Sequence, residues 1–293
     1  MPITRVGLVA KIGLTAAAGA LAELAGWLEA HGVHAVFETE TATVVGLPPE
    51  RRTVSRDELP CACDLIVVLG GDGTLIGMAD RIAESAANVP ILGVNFGSLG
   101  FLTEITLPEL YPSLESVLKG TAQIEERMML RSRTLRGGDV QTDRLALNDV
   151  VITKGALSRI IDLEVEIGGH PIMRVRADGL IVASPTGSTA YNLAAGGPIL
   201  HPEVDALLLT PIAPHMLTNR PVVVPASSDI RVRPAVNASN EEVYVTIDGQ
   251  SGHALETDDE IAITRAEHPL RLVRASTRTY FDVLRQKLKW SER

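Results

Sequence analysis

"CDLIVVLGGDGTLIGMADRI", residues 63–82, decides the fold. An unbroken apolar run ends in Gly-Gly-Asp-Gly-Thr, and helical spacing follows. A short apolar run of this kind is a strand buried on both faces, the texture of a parallel sheet. Its carboxyl end opens toward the ligand crevice of such sheets. Glycine there permits positive φ and the close approach of a ligand. Successive backbone N–H groups, with the start of the next helix, favour an anion. The aspartate is the puzzle. It would repel a phosphate unless it held a metal ion or faced a hydroxyl that attacks the phosphate, and both uses belong to phosphoryl transfer. The plain alternative is a tight turn with Asp72 as a helix cap. The stretch is not a P-loop, since no Gly-Lys-Ser/Thr follows. It is not a dinucleotide fingerprint either, since Ile76 stands where the third glycine is required.

The same alternation extends outward. "RVGLVA", "VHAVFET" and "VPILGVNFG" read as strands. "TAAAGALAELAGWLEAHG", "TLIGMADRIAESA" and "LPELYPSLESVLKG" read as helices, and residues 40–60 as loop. Strand alternating with helix predicts a parallel sheet covered by helices. Near residue 123 the texture changes. "QIEERMMLRSRTLRG", "DRLALNDVVITKG", "IIDLEVEIGG", "HPIMRVRADGLIVASP", "RPVVVPASSDIRVRPA", "EEVYVTIDGQ" and "DEIAITRAE" are strand-like runs separated by turns. Only "STAYNLAAGG" is briefly helical among them. The tail "RTYFDVLRQKLKW" returns to helical spacing, with Phe281, Leu284 and Leu288 on one face, and needs a surface to pack on. The expected organisation is an α/β domain over 1–122 joined by the returning segment 270–293, with a β-rich domain over 123–269.

The 293 residues carry 36 acidic and 27 basic side chains, a formal charge of −9. No basic block interrupts this balance, which argues against nucleic-acid binding. Cys61 and Cys63 cannot complete a zinc site between them and read as small residues at the start of a buried strand. Their scarcity fits a reducing compartment. The N-terminus lacks the apolar core of a signal peptide, and no run approaches a membrane span. The expectation is a soluble cytoplasmic protein without membrane contact. The seven histidines do not cluster at metal-ligand spacing.

Further polar groups interrupt apolar strands. Asn95, Gly97 and Gly100 in "VPILGVNFGSLGFLTE" lie just past a strand. Asn148 and Asp149 in "LALNDVVITKG" offer donors and acceptors for a base edge or ribose hydroxyls, or else form a bulge. In "RADGLIVASPTGSTAYNLAAGGPILHP", Asp178 precedes a strand and Pro185–Thr189 turn into a short helix. Hydroxyls and N–H groups at that start suit ribose or phosphate oxygens, though Ser188 and Thr189 would serve equally as caps. Asp248 and Gly249 sit at a hairpin turn.

The order "GGDGT", "NFGSLGFL", "LNDVVI", "DGLIVASPTGSTAYNLAAGGPILHP", "VTIDGQ" and "YFDVLRQKLKW" closely resembles the bacterial NAD kinases, from about residue 63 to the C-terminus. The first element is shared with lipid kinases and, approximately, with phosphofructokinases; the middle ones are much more specific. The resemblance implies a Rossmann-like α/β N-terminal domain, an all-β, sandwich-like C-terminal domain, and a last helix that packs back on the first domain. It implies transfer of a phosphoryl group from ATP, or from polyphosphate, to the 2′-hydroxyl of the adenosine ribose of NAD. Mg²⁺, or another divalent metal, would travel with the donor, and the chain itself would supply no metal ligands. A homodimer or homotetramer built through the C-terminal domain is implied too.

Residue by residue, the resemblance makes Asp72 the base that orients the hydroxyl. It assigns Gly70, Gly71, Gly73 and Thr74 to phosphate and Gly73 also to NAD. Phe101 would line the pocket. Asn148 and Asp149 would contact the dinucleotide, Asp178 its nicotinamide side, and Thr186 its adenine end. Thr189, Ala190 and Tyr191 would hold NAD, with Asp248 close by. Two positions depart from the family pattern: Asp149 stands where many relatives have Glu, and Ala177 replaces the glycine often found before Asp178. A lipid kinase sharing the glycine-rich element, or a dinucleotide-binding regulator without turnover, are the competing classes. A lipid kinase should offer an apolar or basic membrane-facing surface, and no such segment is evident. The intact Asp72 argues against the regulator.

Overall fold

The computed structural model describes residues 3–47, 53–155, 160–216, 218–235, 242–256, 258–274 and 278–290. The chain divides into two compact units, 1–126 with 270–293, and 127–269.

The first unit begins with β1 (Arg5–Ala10), α1 (Ala18–Ala30) and β2 (His34–Phe37). Leu21, Leu24, Ala25 and Leu28 of α1 recur at helical spacing and are buried, which presses the helix on the sheet. Next come α2 (Thr39–Val45) and the one-turn α3 (Leu59–Ala62). Helix α2 lies almost wholly in the stretch 40–60 expected to be loop, and α3 overlaps its end and takes in Cys61, expected at the start of a strand; the structure corrects both readings, and residues 48–52 lie outside the described residues. Helix α2 forms because the Glu38 side chain accepts the Thr41 N–H at 2.8 Å, and Gly46, at φ 67°, closes its other end. These are the start and stop devices of a short helix. Cys61 lies exposed on α3 and Cys63 is buried; both are free thiols.

Strands β3 (Leu65–Gly70) and β4 (Ile91–Asn95) flank α4 (Asp72–Glu84). Every residue of both strands is buried. Strand β1 pairs in parallel with β2 and β3, and β3 with β4. Helix α5 (Leu107–Leu118) starts with a capping box in which Thr106 and Glu109 satisfy each other's backbone donors. Strand β5 (Gln123–Arg127) follows.

Among the described residues, the second unit is built from twelve strands in two antiparallel sheets. They are β6 (Leu130–Arg136), β7 (Asp139–Ala146), β8 (Asp149–Lys154), β9 (Ile161–Ile167), β10 (His170–Ala177) and β11 (Gly179–Ala183). After α6 (Tyr191–Ala194) come β12 (Ala206–Ile212), β13 (Val222–Pro225), β14 (Ile230–Pro234), β15 (Val243–Ile247), β16 (Ser251–Leu255) and β17 (Asp259–Arg265). One sheet has the order β10-β9-β14-β17-β6-β7, the other β13-β12-β11-β8-β15-β16. Leu163, Val165, Val232, Ile261 and Ile263 of the first share one core with Val150, Ile152, Leu180, Val182, Leu207 and Val245 of the second. The sheets therefore stack face to face as a sandwich. Ala177 is the last residue of β10 and lies in that core. Its methyl group is a packing group, and the departure at this position leaves the strand intact.

The chain then re-enters the first unit. Strand β18 (Leu270–Arg274) sits between β4 and β5, parallel to β4, and α7 (Tyr280–Leu288) follows. The helix buries Val283 and Leu284 and leaves Phe281 61% exposed. The expected stripe holds in part: Leu284 is buried and Leu288 half-buried, but Val283 takes the inward place expected for Phe281. The Thr279–Asp282 capping box fixes where the first turn begins. From that start, Val283 and Leu284 face inward, and Lys287 comes over the ring of Phe101 at 5.6 Å.

Candidate active site

In the first unit the site begins where β3 and β4 end, at the paired residues Gly70 and Asn95. Gly71 is the N-cap of α4, in extended conformation (φ −117°, ψ −178°), and offers no side-chain acceptor. The first N–H groups of α4 are therefore left for a ligand or water. Among Gly70, Gly71 and Gly73 none has positive φ; their value is closeness, not left-handed backbone. A Cβ on Gly71 or Gly73 would meet nothing within 4 Å, so this face is open to a ligand. A Cβ on Gly70 would stand 2.8 Å from Thr74 Oγ1, so Thr74 leans back over Gly70.

The Asp72 carboxylate does not cap its own helix. Its Oδ2 accepts the Phe101 N–H at 2.8 Å. Its Oδ1 accepts the Leu102 N–H at 3.1 Å, the Thr103 N–H at 2.9 Å and the Thr103 hydroxyl at 2.9 Å. A carboxylate has about four lone-pair positions. The protein crowds Oδ1 and leaves Oδ2 room for one more donor. An alcohol O–H is such a donor. This answers the puzzle of an acid in a phosphate cradle: the group is gripped from one side and free on the other.

Lys11, which the sequence reading missed, ends up beside this loop. It follows β1, and its N–H bonds to Leu69 O at 3.0 Å. Its Cβ lies 3.3 Å from where a Gly70 Cβ would be. The residue is exposed, and among the described residues no carboxylate pairs with it. The available signal was a lysine at the carboxyl end of a strand expected in the parallel sheet.

In the second unit, Asn148 and Asp149 stand at the bend into β8. The carboxylate of Asp248 accepts the N–H groups of Leu147 at 2.7 Å, Asn148 at 2.7 Å and Asp149 at 2.9 Å. Asp248 has φ 51° and Gly249 φ 63°; they turn β15 into β16, as an Asp-Gly hairpin should. Asp149 is 4% exposed. Burial, then the nearby Asp248 charge, raise its carboxyl to about 7.

Ser184 Oγ donates to Leu147 O at 2.5 Å and accepts the Gly187 N–H at 3.1 Å. A Cβ on Gly187 would lie 2.1 Å from Asn148 O, so the turn at 186–189 rests directly on the Asn148 backbone. Ser188 bonds both the N–H and the carbonyl of Leu200 through its hydroxyl, which makes it a staple and not a helix cap. Asn192 is fully buried; its amide donates to Ser188 O and Pro198 O, and its carbonyl accepts Thr210 Oγ1 at 2.6 Å. This frame brings together Asn148, Asp149, Asp248, Thr186, Thr189, Ala190 and Tyr191. Thr186 is buried, whereas Tyr191 is 45% exposed.

Asp178 is not in that group. It precedes β11, whose Gly179 pairs with Thr153 and whose Ala183 pairs with Asp149. Five residues of extended chain separate the two ends, roughly 17 Å at about 3.4 Å per residue. Asp178 lies beside Lys154 instead, at 3.7 Å. It would meet a different part of a ligand from that met by Asn148.

Among the described residues, no group of three His, Cys, Asp or Glu side chains is placed to hold a metal ion. No helix among them is long and apolar enough to cross a membrane.

The sequence and the fold have known counterparts. Residues 6–122 match the family model of the ATP-NAD kinase N-terminal domain, and 147–275 that of the C-terminal domain. The chain is 50% identical over 289 residues to an NAD kinase of Geotalea daltonii, covering 99% of each. It is 45% identical over 298 residues to one of Solibacter usitatus, covering 100% of each. Yeast NADH kinase complexed with NADH superposes with a TM-score of 0.89 at 26% identity, over 100% of this chain and 89% of that one. An NAD kinase from Archaeoglobus fulgidus in complex with ATP gives 0.76 at 26% identity, over 98% and 99%.

Proposed function

The chain belongs to the NAD kinase family, and from that membership we infer that it phosphorylates NAD with ATP to give NADP. The observation that carries the chemistry is Asp72, held by four donors at the mouth of an uncapped helix. In this reading Oδ2 accepts the 2′-hydroxyl of the adenosine ribose and aims its oxygen at the γ-phosphorus. As the new P–O bond forms, the bond to the β-phosphate oxygen breaks and ADP leaves. The hydroxyl proton passes to Asp72 late in the step. A carboxylate is a feeble base toward an alcohol, but a loose transition state asks mainly for orientation and charge stabilisation.

The remaining roles are those the family resemblance implies, with Lys11 added from its place beside Gly70. Gly70, Gly71, Gly73 and Thr74, with the first N–H groups of α4 and the Lys11 ammonium, would receive the donor phosphates. Phe101 would line the NAD pocket. Asn148 and Asp149 would bind the adenosine portion of NAD, with Thr186, Thr189, Ala190 and Tyr191 around it. Asp248 would act by holding their backbone, and Asp178 would lie toward the nicotinamide. Mg²⁺ fits best as part of the substrate, bound to ATP, where it offsets phosphate charge. Two free thiols are in keeping with a cytoplasmic enzyme. A homodimer or homotetramer is the expected assembly, and sedimentation velocity would read it.

The deciding experiment measures NADP or NADPH formation with NAD or NADH crossed with ATP or polyphosphate, in the presence of Mg²⁺. Product from NAD and ATP is the expected result; its absence in every combination would overturn the assignment. Asp72→Asn should lower kcat by about a thousandfold in a folded protein.

A further inference from the structure

We propose that Arg278, together with Arg274, is a positioning residue for phosphoryl transfer, acting on Asp72 through the loop that grips it. The proposal rests on the reading of Asp72 given above. That loop, 101–103, supplies the backbone donors to the carboxylate. What fixes the loop is the returning C-terminal segment of the chain.

The next residue, Glu104, is 4% exposed. Its Oε1 lies 2.8 Å from Arg274 Nε, at the end of β18. Arg274 also reaches Glu125 at 3.3 Å and donates from Nη2 to Arg278 O at 2.7 Å. Arg278 completes the clamp. Its Nη1 donates to the Glu104 carbonyl at 3.0 Å and to Glu109 Oε2 at 3.1 Å. Its Nη2 lies 3.1 Å from Glu109 Oε1. Glu109 in turn accepts the Thr106 N–H and hydroxyl at the start of α5. The backbone and side chain of Glu104 are thus held by two guanidinium groups, one residue beyond the Thr103 that donates twice to Asp72.

A fork of fixed donors suits this task and a lysine does not, because one ammonium cannot span a carbonyl and both oxygens of a carboxylate with the same geometry. Losing the clamp would let the loop shift while the sheet and the substrate-binding residues stay in place. The expected signature is a fall in kcat with little change in either KM. Misplacement of a reacting group by about 1 Å can cost on the order of a hundredfold.

The test compares Arg278→Met and Arg278→Lys, each alone and combined with Asp72→Asn. Arg278→Met should lower kcat by about tenfold or more, leave both KM values within about twofold, and be only partly rescued by lysine. In the Asp72→Asn background the same change should cost nothing further, since the two act as one unit. Amide hydrogen exchange should quicken in 100–104 and not in 91–95, a readout that needs no activity. Where the methionine variant does not fold, the lysine variant carries the exchange and kinetic comparison. Unchanged kcat, an equal loss in the Asp72→Asn background, or unchanged exchange overturns the proposal. Near-normal activity of Asp72→Asn by itself overturns the reading of Asp72 instead.

Discussion

Gly100 leaves no room for a side chain, because a Cβ built on it would stand 2.0 Å from Oδ1 of Asp72. The loop can wrap its N–H groups around the carboxylate only because nothing projects from residue 100. Gly100→Ala should therefore push Asp72 off its donors. We expect kcat to fall about a hundredfold and stability to drop about 1–3 kcal/mol from overpacking. Steady-state kinetics beside thermal unfolding would check this; wild-type kcat in the variant would mean that the grip on Asp72 does not serve the chemistry.

Asp248 gives the second unit its equivalent hold, on the backbone of 147–149. Asparagine tolerates the positive φ of this turn, so Asp248→Asn tests the acceptor and not the backbone. One oxygen is replaced by an amide that faces N–H donors. We expect a loss of about 1–3 kcal/mol in stability and a higher KM for NAD, with KM for ATP unchanged. Equal changes in both KM values would argue against a local role.

Asp149 ties stability to pH. Its carboxyl is pushed up to about 7 by burial and by the Asp248 charge. Below its unfolded value, near 3.8, the group is protonated in both states and contributes nothing. Between there and 7 the unfolded chain ionises it while the folded chain keeps the proton, so folding stability falls as pH rises. Above 7 the loss is complete, up to about 4 kcal/mol. Asp149→Asn should flatten this slope in urea unfolding of the ligand-free protein between pH 5 and 8; an unchanged slope would show that another group titrates.

Lys11 stands beside Gly70 without a carboxylate partner among the described residues. Replacing it by methionine keeps the stem and removes the charge. KM for ATP should rise about tenfold, as for loss of roughly 1.4 kcal/mol of binding, and KM for NAD should hold. Stability should change by less than about 0.5 kcal/mol. An unaltered KM for ATP would remove Lys11 from the donor site.

Much of the architecture was legible. The buried run ending at Gly70 announced a parallel strand, and the change of texture near residue 123 announced a β-rich second domain. Three strands escaped the reading. β12 is a leucine-rich run containing Pro211, β16 contains glycine and serine, and β18 is short. Each is a strand because neighbouring strands complete its hydrogen bonds, which outweighs weak local propensity. Helix α2 was read as loop because its first turn depends on Glu38 and on Thr41, whose hydroxyl accepts the Ala10 N–H at 2.8 Å. On α7, Leu284 is inward as its spacing indicates, but Val283 replaces Phe281 because the capping box sets the phase of the first turn.

The sequence by itself determined the kinds of element, the order of the polar motifs and the family those motifs belong to. Such features depend on residue spacing within a few turns of chain or on the ordered recurrence of short motifs. Only the tertiary structure decided what those motifs touch. Asp72 meets donors 29 to 31 residues away, and Asp248 meets donors 99 to 101 residues away. Asp149 owes its shifted acidity to a fold that buries it beside Asp248, and Asp178 is set apart from Asn148 by the length of β11. Hydrogen bonds and desolvation act over a few ångströms of space whatever the separation along the chain. Their partners exist only once the sheets have assembled.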